Sequence, residues 1–181
     1  MINRRRRLIG NVIRNTRHGL THLSVLTYIY PREPQCLAFD SLHNLLSAEG
    51  FVVTERDGNK RATPNWSHLL LSHESSKHLR FKIVVAQNKK TNIDWVAERY
   101  PKNGNLPLVR NAKKYIWCQI EIGIATDREL TAGFASFDLV VGIIARESKG
   151  VVDLPENEKL YSYSGFSRYM NAKRPPTSNS E

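Results

Sequence analysis

Four apolar residues, Ile83 to Ala86, run straight into Gln87, Asn88, Lys89 and Lys90. An amide oxygen and an ammonium group two residues apart at the end of an apolar strand suit phosphodiester chemistry. A divalent metal takes oxygen ligands, and charge developing on a scissile phosphate needs a positive partner. Side chains two apart in a strand share a face, so Gln87 and Lys89 are expected to point the same way as Val85. Any Gln-x-Lys tripeptide would meet that requirement. A strand leaving the core for solvent explains it too, so the neighbouring elements must decide.

Further along, Arg110, Lys113 and Lys114 precede Tyr115 and Trp117. Cations beside aromatic rings can follow a phosphate backbone and stack bases, although such rings more often belong to a core. His68, His73 and His78 recur every five residues. Strand alternation puts His68 and His73 on opposite faces, and a turn precedes His78, so a shared metal is not expected. Glu121 reads equally as a site carboxylate or a solvent-facing residue, and Asp138 as a strand entrance. Cys36 and Cys118 have no CxxC or histidine-spaced partner, so they read as small buried hydrophobes in a reducing compartment.

The elements that position these residues sit in a chain of 181 residues, long enough for one domain with its own core. No run approaches the roughly 18 apolar residues of a membrane span. The net charge of +10 is unevenly spread: +7 over residues 1–32, −3 over 33–75, +8 over 76–114 and −2 over 115–181. A basic N-terminus and one basic central segment on a slightly acidic body favour a polyanion partner. Arg4, Arg5, Arg6 and Arg7 form a block with no acid nearby. Leu8, Ile9, Val12 and Ile13 follow at helical spacing. Residues 1–34 are therefore read either as a nucleic-acid-binding arm or as an Arg-rich mitochondrial or other organellar targeting segment. Without targeting, the expectation is cytoplasmic. The sequence PREP at 31–34 marks the boundary of the main domain, residues 35–172, and residues 173–181 read as a disordered tail.

Within that domain Leu37, Leu42, Leu45 and Leu46 lie on one helical face, and Gly50 ends the helix. FVVTER, WSHLLLSH and HLRFKIVVAQ read as three strands, IDWVAERY as a short helix, and PKNGNLPLVRNAKK as a long basic loop. YIWCQIEIGI and FDLVVGIIAR read as later strands, with a helical turn or loop between them and SYSGFSRYMNAK as a last helix. The class is α+β, with continuous apolar strands in a sheet covered on both faces.

The order αβββαβ, the proline-containing entry TPNWSHLLL to the second strand and IVVAQNKKT on the third resemble the PD-(D/E)XK, or restriction-endonuclease-like, nuclease superfamily. The nearer likeness is to its Mrr-like and group-I-intron-associated branches, where glutamine often stands for the acid of the tripeptide. That resemblance implies a central mixed sheet flanked by helices, and a DNA endonuclease of homing or mobile-element type dependent on Mg2+ or Mn2+. It makes Gln87 a metal ligand and Lys89 the cation that polarises water or stabilises the phosphoryl charge. The acid expected after the proline is Asn65, so both usual carboxylates are amides here. Three explanations stay open: Asp57 or Glu74 supplies the charge, the chain is a non-catalytic relative that only binds, or Asn65 is an engineered replacement. Hard cations favour charged oxygen, which makes this departure chemically serious.

Three readings follow. The first is a metal-dependent endonuclease. The second is a non-catalytic protein that grips duplex DNA or structured RNA through the N-terminal arginines, Lys89, Lys90, Arg110, Lys113 and Lys114. The third is a structural protein whose basic segments face an acidic partner. Homo-oligomer formation is compatible with each, and a membrane partner with none.

Overall fold

A computed structural model describes residues 13–17, 20–56, 66–73, 76–122, 127–155 and 158–173. In chain order the elements are β1 (Ile13–Arg17), β2 (Leu20–Tyr30), a 3-10 turn (Pro34–Leu37), α1 (Phe39–Ala48), β3 (Phe51–Arg56), β4 (His68–His73) and β5 (Ser76–Gln87). There follow α2 (Lys90–Arg99), α3 (Leu106–Asn111), β6 (Lys114–Ile122), α4 (Asp127–Glu147), β7 (Val151–Leu154), β8 (Lys159–Ser162) and α5 (Tyr163–Lys173). The fold class is α+β.

The eight strands form one sheet in the order β3-β4-β5-β6-β2-β7-β8, with β1 paired beside β7 along the same edge of β2. Every described pairing is antiparallel, which corrects the expected mixed sheet. The consecutive strands β1 and β2, β3 and β4, β4 and β5, and β7 and β8 pair with one another. The β5–β6 pair instead runs through α2 and α3 and still pairs antiparallel, from Leu79↔Ile122 to Gln87↔Lys114.

One sheet face carries the main core. Leu79, Phe81 and Ile83 of β5 and Ile116, Cys118 and Ile120 of β6 alternate inward, as the period of two requires. Leu42 and Leu46 of α1, Val140, Val141 and Ile144 of α4, and Phe166 of α5 close over them. The Trp66 indole N–H donates to the Leu37 carbonyl at 2.8 Å, fixing the entry to β4 against the 3-10 turn. Gly50, in the left-handed region at φ 84°, lets α1 turn directly into β3. The opposite face is covered at one end alone by described helices. There Val96 of α2 and Leu106 and Val109 of α3 pack on Tyr30, Val151 and Leu160.

Two expectations change. FDLVVGIIAR is helical, the second half of α4, and not a strand. Phe137, Val140, Val141 and Ile144 bury at spacing i, i+3, i+4, i+7, and the run continues a helix begun at Asp127. A short apolar run carries no period that tells a buried strand from a buried helix, and length decided it. Residues 20–30, read as part of an N-terminal arm, are strand β2 between β6 and β7, with Ile29 fully buried. The strands β7 and β8 were not anticipated, and α3 replaces part of the expected loop.

Candidate functional site

The chain leaves β5 at Gln87 and enters α2 at Lys90, with Asn88 and Lys89 between them. Asn88 makes this junction. Its backbone N–H donates to the Lys113 carbonyl at 3.0 Å, and its side-chain amide donates to the carbonyls of Val109 at 2.9 Å and Ala112 at 2.8 Å. The two side-chain bonds reach the Val109 carbonyl in the last turn of α3 and the carbonyl of its cap residue Ala112, and the backbone bond reaches Lys113 just beyond. They also draw residues 109–113 against residues 88–90. Two basic segments about twenty residues apart in sequence thereby meet at one end of the sheet. Lys89, Lys90, Arg110 and Lys113 are exposed there, and Lys114 lies directly across the ladder from Gln87. The N-terminal end of α2 adds the positive end of its dipole.

Gln87 is exposed at the strand end. Lys89 is the cap residue of α2, outside β5, so strand alternation does not relate its direction to that of Gln87. The other expected metal-site residues, Asn65, Asp57 and Glu74, lie outside the described residues, as do Arg4, Arg5, Arg6 and Arg7. Among the described residues no group of three His, Cys, Asp or Glu side chains converges on one point. Of the expected ligands Gln87 alone is described, and it offers one neutral oxygen where Mg2+ and Mn2+ favour several charged ones. His68 is hydrogen-bonded with Ser67 at 3.1 Å, whereas His73 packs edge-on against Phe51 with ring centroids 4.9 Å apart. Cys118 is buried, and burial raises its thiol pKa far above the usual range.

Beside the cations lies an aromatic recess. Tyr28 and Tyr30 project from β2 on the face away from the main core, and Tyr115 stands on β6 one residue after Lys114. Trp95 and Asn92 of α2 complete a cleft of about 150 Å³. Ring centroids are 6.2 Å apart for Tyr28–Trp95, 6.0 Å for Tyr28–Tyr115 and 6.1 Å for Tyr30–Tyr115. Trp95 remains 44% exposed, one of the few large apolar side chains in the described surface that does so. The Arg99 guanidinium sits over its ring at 5.3 Å.

The recess is anchored from below by polar bonds. Asp153 of β7 is fully buried, and the Tyr100 hydroxyl donates to its Oδ1 at 2.5 Å. Arg99 donates to the Pro155 carbonyl at 2.7 Å, and the amide groups of Asn103 and Asn105 both donate to the Leu160 carbonyl. Together these fasten α2 and α3 to β7 and β8. Burial, with the Asp153 carboxylate next in weight, pushes the Tyr30 phenol well above its ordinary pKa of 10.0. Burial followed by the hydrogen bond to Asp153 does the same to Tyr100. Tyr28 is raised too, first by burial and then by Tyr115.

Beyond α2 and α3 no other described helix covers this sheet face, where Lys82 lies over the Trp117 ring at 5.2 Å and Arg80 is exposed opposite Glu121. Trp117 and Tyr115 both lie on this face, not in the main core. The sequence reading had Tyr115 beside the cations but missed Tyr28, Tyr30, Trp95, Asn92 and Asp153. Signals for some were present. Tyr28 and Tyr30 are two apart in a strand, and Asn92, Trp95 and Arg99 recur at helical spacing. Asp153 gave none, because a single acid in VVDL becomes informative once Tyr100 is known to reach it.

No protein-family model, no curated protein and no solved structure matches this chain.

Proposed function

We propose that the protein binds nucleic acid without catalysing its cleavage, gripping the phosphate backbone with Lys89, Lys90, Arg110, Lys113 and Lys114. The observation that carries this is the Asn88 junction. Three hydrogen bonds bring two basic segments to one end of the sheet, at the start of the helix that carries the exposed Trp95 ring. Lysines and arginines so placed release counterions when they meet phosphates, which gives affinity without sequence information. Duplex DNA or structured RNA supplies such a polyanion.

The test is binding of a labelled duplex at several salt concentrations. A steep negative log–log slope is expected, with a reduction of about one for each phosphate contact removed by Lys89→Ala, Lys90→Ala, Arg110→Ala or Lys113→Ala. A slope near zero, or one that the four substitutions leave unchanged, would sink this reading and favour an acidic protein partner.

A metal-dependent endonuclease, on a restriction-endonuclease-like core of homing or mobile-element type, is the second reading. Its support is the exposed Gln87 amide at the edge of the cationic patch, two residues from Lys89. Plasmid incubated with Mg2+ or Mn2+ tests it. No nicking by the native chain or by Asn65→Asp would end it, whereas nicking lost in Lys89→Ala would restore it.

A further inference from the structure

We infer that the cleft between Tyr28, Trp95 and Tyr115 receives one unpaired nucleobase, so that the preferred partner is a single-stranded stretch or an extruded base. The inference rests on the nucleic-acid reading and specifies which form of nucleic acid that site takes.

Four observations lead to it. First, the cleft is bordered by aromatic rings set at angles to one another, 68° for Tyr28–Trp95 and 60° for Tyr28–Tyr115, so that no ring face is taken up by stacking on another. Second, at about 150 Å³ the cleft falls below the roughly 300–1,000 Å³ of sites for drug-sized ligands, so it suits one flat ring system. Third, Asn92 on the rim carries a side-chain amide with two donor hydrogens and an acceptor oxygen, the groups that read a base edge. Fourth, Lys89 and Lys90 begin the helix that carries Asn92 and Trp95. A phosphate held by these lysines leaves its base beside the cleft.

Aromatic walls also suit an organic cation, and charge decides between the two. Lys89 and Lys90 open the helix that carries Trp95, and the Arg99 guanidinium already lies over the Trp95 ring. The carboxylates nearby do not line the cleft: Asp153 is fully buried beneath Tyr100, and Asp94 and Glu98 are exposed on α2. A second cation would meet repulsion, whereas a base attached to phosphates is drawn in. Bases stacked in an intact duplex cannot enter a recess, because both their faces are occupied.

The experiment compares a fluorescent single-stranded oligothymidylate with an abasic strand of the same length. Both are titrated into the full chain and into Trp95→Ala and Trp95→Phe. The base-bearing strand is expected to bind about tenfold tighter than the abasic strand, in line with base–aromatic stacking. Trp95→Ala should remove that advantage and Trp95→Phe should restore most of it, while affinity for the abasic strand stays salt-dependent and unchanged. Equal affinity for the two strands, or an advantage that survives Trp95→Ala, would overturn this inference and leave the phosphate grip standing. Binding of neither strand would overturn both.

Discussion

The two faces of the sheet come from the same strands and solve different problems. On one, Phe81, Ile83, Ile116 and Ile120 meet α1, α4 and α5 in a dry core with almost no exposed surface. On the other, the same strands offer Lys82, Trp117, Tyr115 and Tyr28, and the described helices α2 and α3 cover one end of it. The first face holds its helices by apolar area. The second has a smaller apolar cluster and adds directed bonds to it: Asn88 to two carbonyls, Tyr100 to Asp153, and Asn103 and Asn105 to Leu160. Directed bonds leave aromatic faces available, which a close-packed core never does.

That contrast sets an order of effects. Phe81→Ala removes a ring packed edge-on against Phe51 at 5.4 Å and should cost about 3–5 kcal/mol by urea unfolding. Trp95→Ala, on the other face, should cost no more than about 1 kcal/mol. Similar costs for the two would erase the distinction between a packed and an open face.

Asn88→Ala comes next, because it strips the donors from the carbonyls of Val109 and Ala112. A loss of about 2 kcal/mol is expected, together with weaker polyanion binding as residues 110–114 separate from 89–90. Asn88→Asp should do no better, since its oxygens would face two carbonyl oxygens. Binding that stays intact in both variants would show that Asn88 does not assemble the patch.

Tyr100→Phe removes the hydroxyl that Asp153 accepts from and should cost about 1–2 kcal/mol near neutral pH. The tyrosines also set an alkaline limit. Tyr30 and Tyr100 have folded pKa values above the ordinary 10.0, so the unfolded chain gives up these protons first. Stability from them is fully present below about pH 10 and is lost as pH rises beyond it. Each contributes a slope of up to about 1.4 kcal/mol per pH unit. Unfolding midpoints measured from pH 8 to pH 12 should therefore fall steeply above pH 10 and less steeply in Tyr100→Phe. A flat profile would mean that these phenols are not protected by the fold.

Smallest is Lys82→Ala, which removes a half-exposed ammonium over Trp117 and should cost about 0.5–1 kcal/mol. A larger loss would mark the open face as part of the stable core.

The sequence showed the elements from α1 to α2, and β6 after them, through their periods, but not α3. Leu42, Leu45 and Leu46 recur at helical spacing, whereas Leu79, Phe81 and Ile83 alternate at the period of a strand. It misread residues 137–146 because a continuous apolar run has no period. It misplaced residues 20–30 because LTHLSVLTYIY states apolar content and not its partners. The expected mixed sheet failed for the same reason, since strand direction is set by pairing.

Local chemistry was legible at the candidate site. An abrupt change from IVVA to QNKK does mark the end of β5, and the cations at 110–114 were visible as cations. Their meeting was not, because it depends on Asn88 reaching carbonyls more than twenty residues away. The same holds for the aromatic cleft, whose rings come from β2, α2 and β6. Sequence determines what each residue can do and the period of its own segment. Which residues share a place is decided by long-range pairing and by the bonds that hold two helices over one end of a sheet.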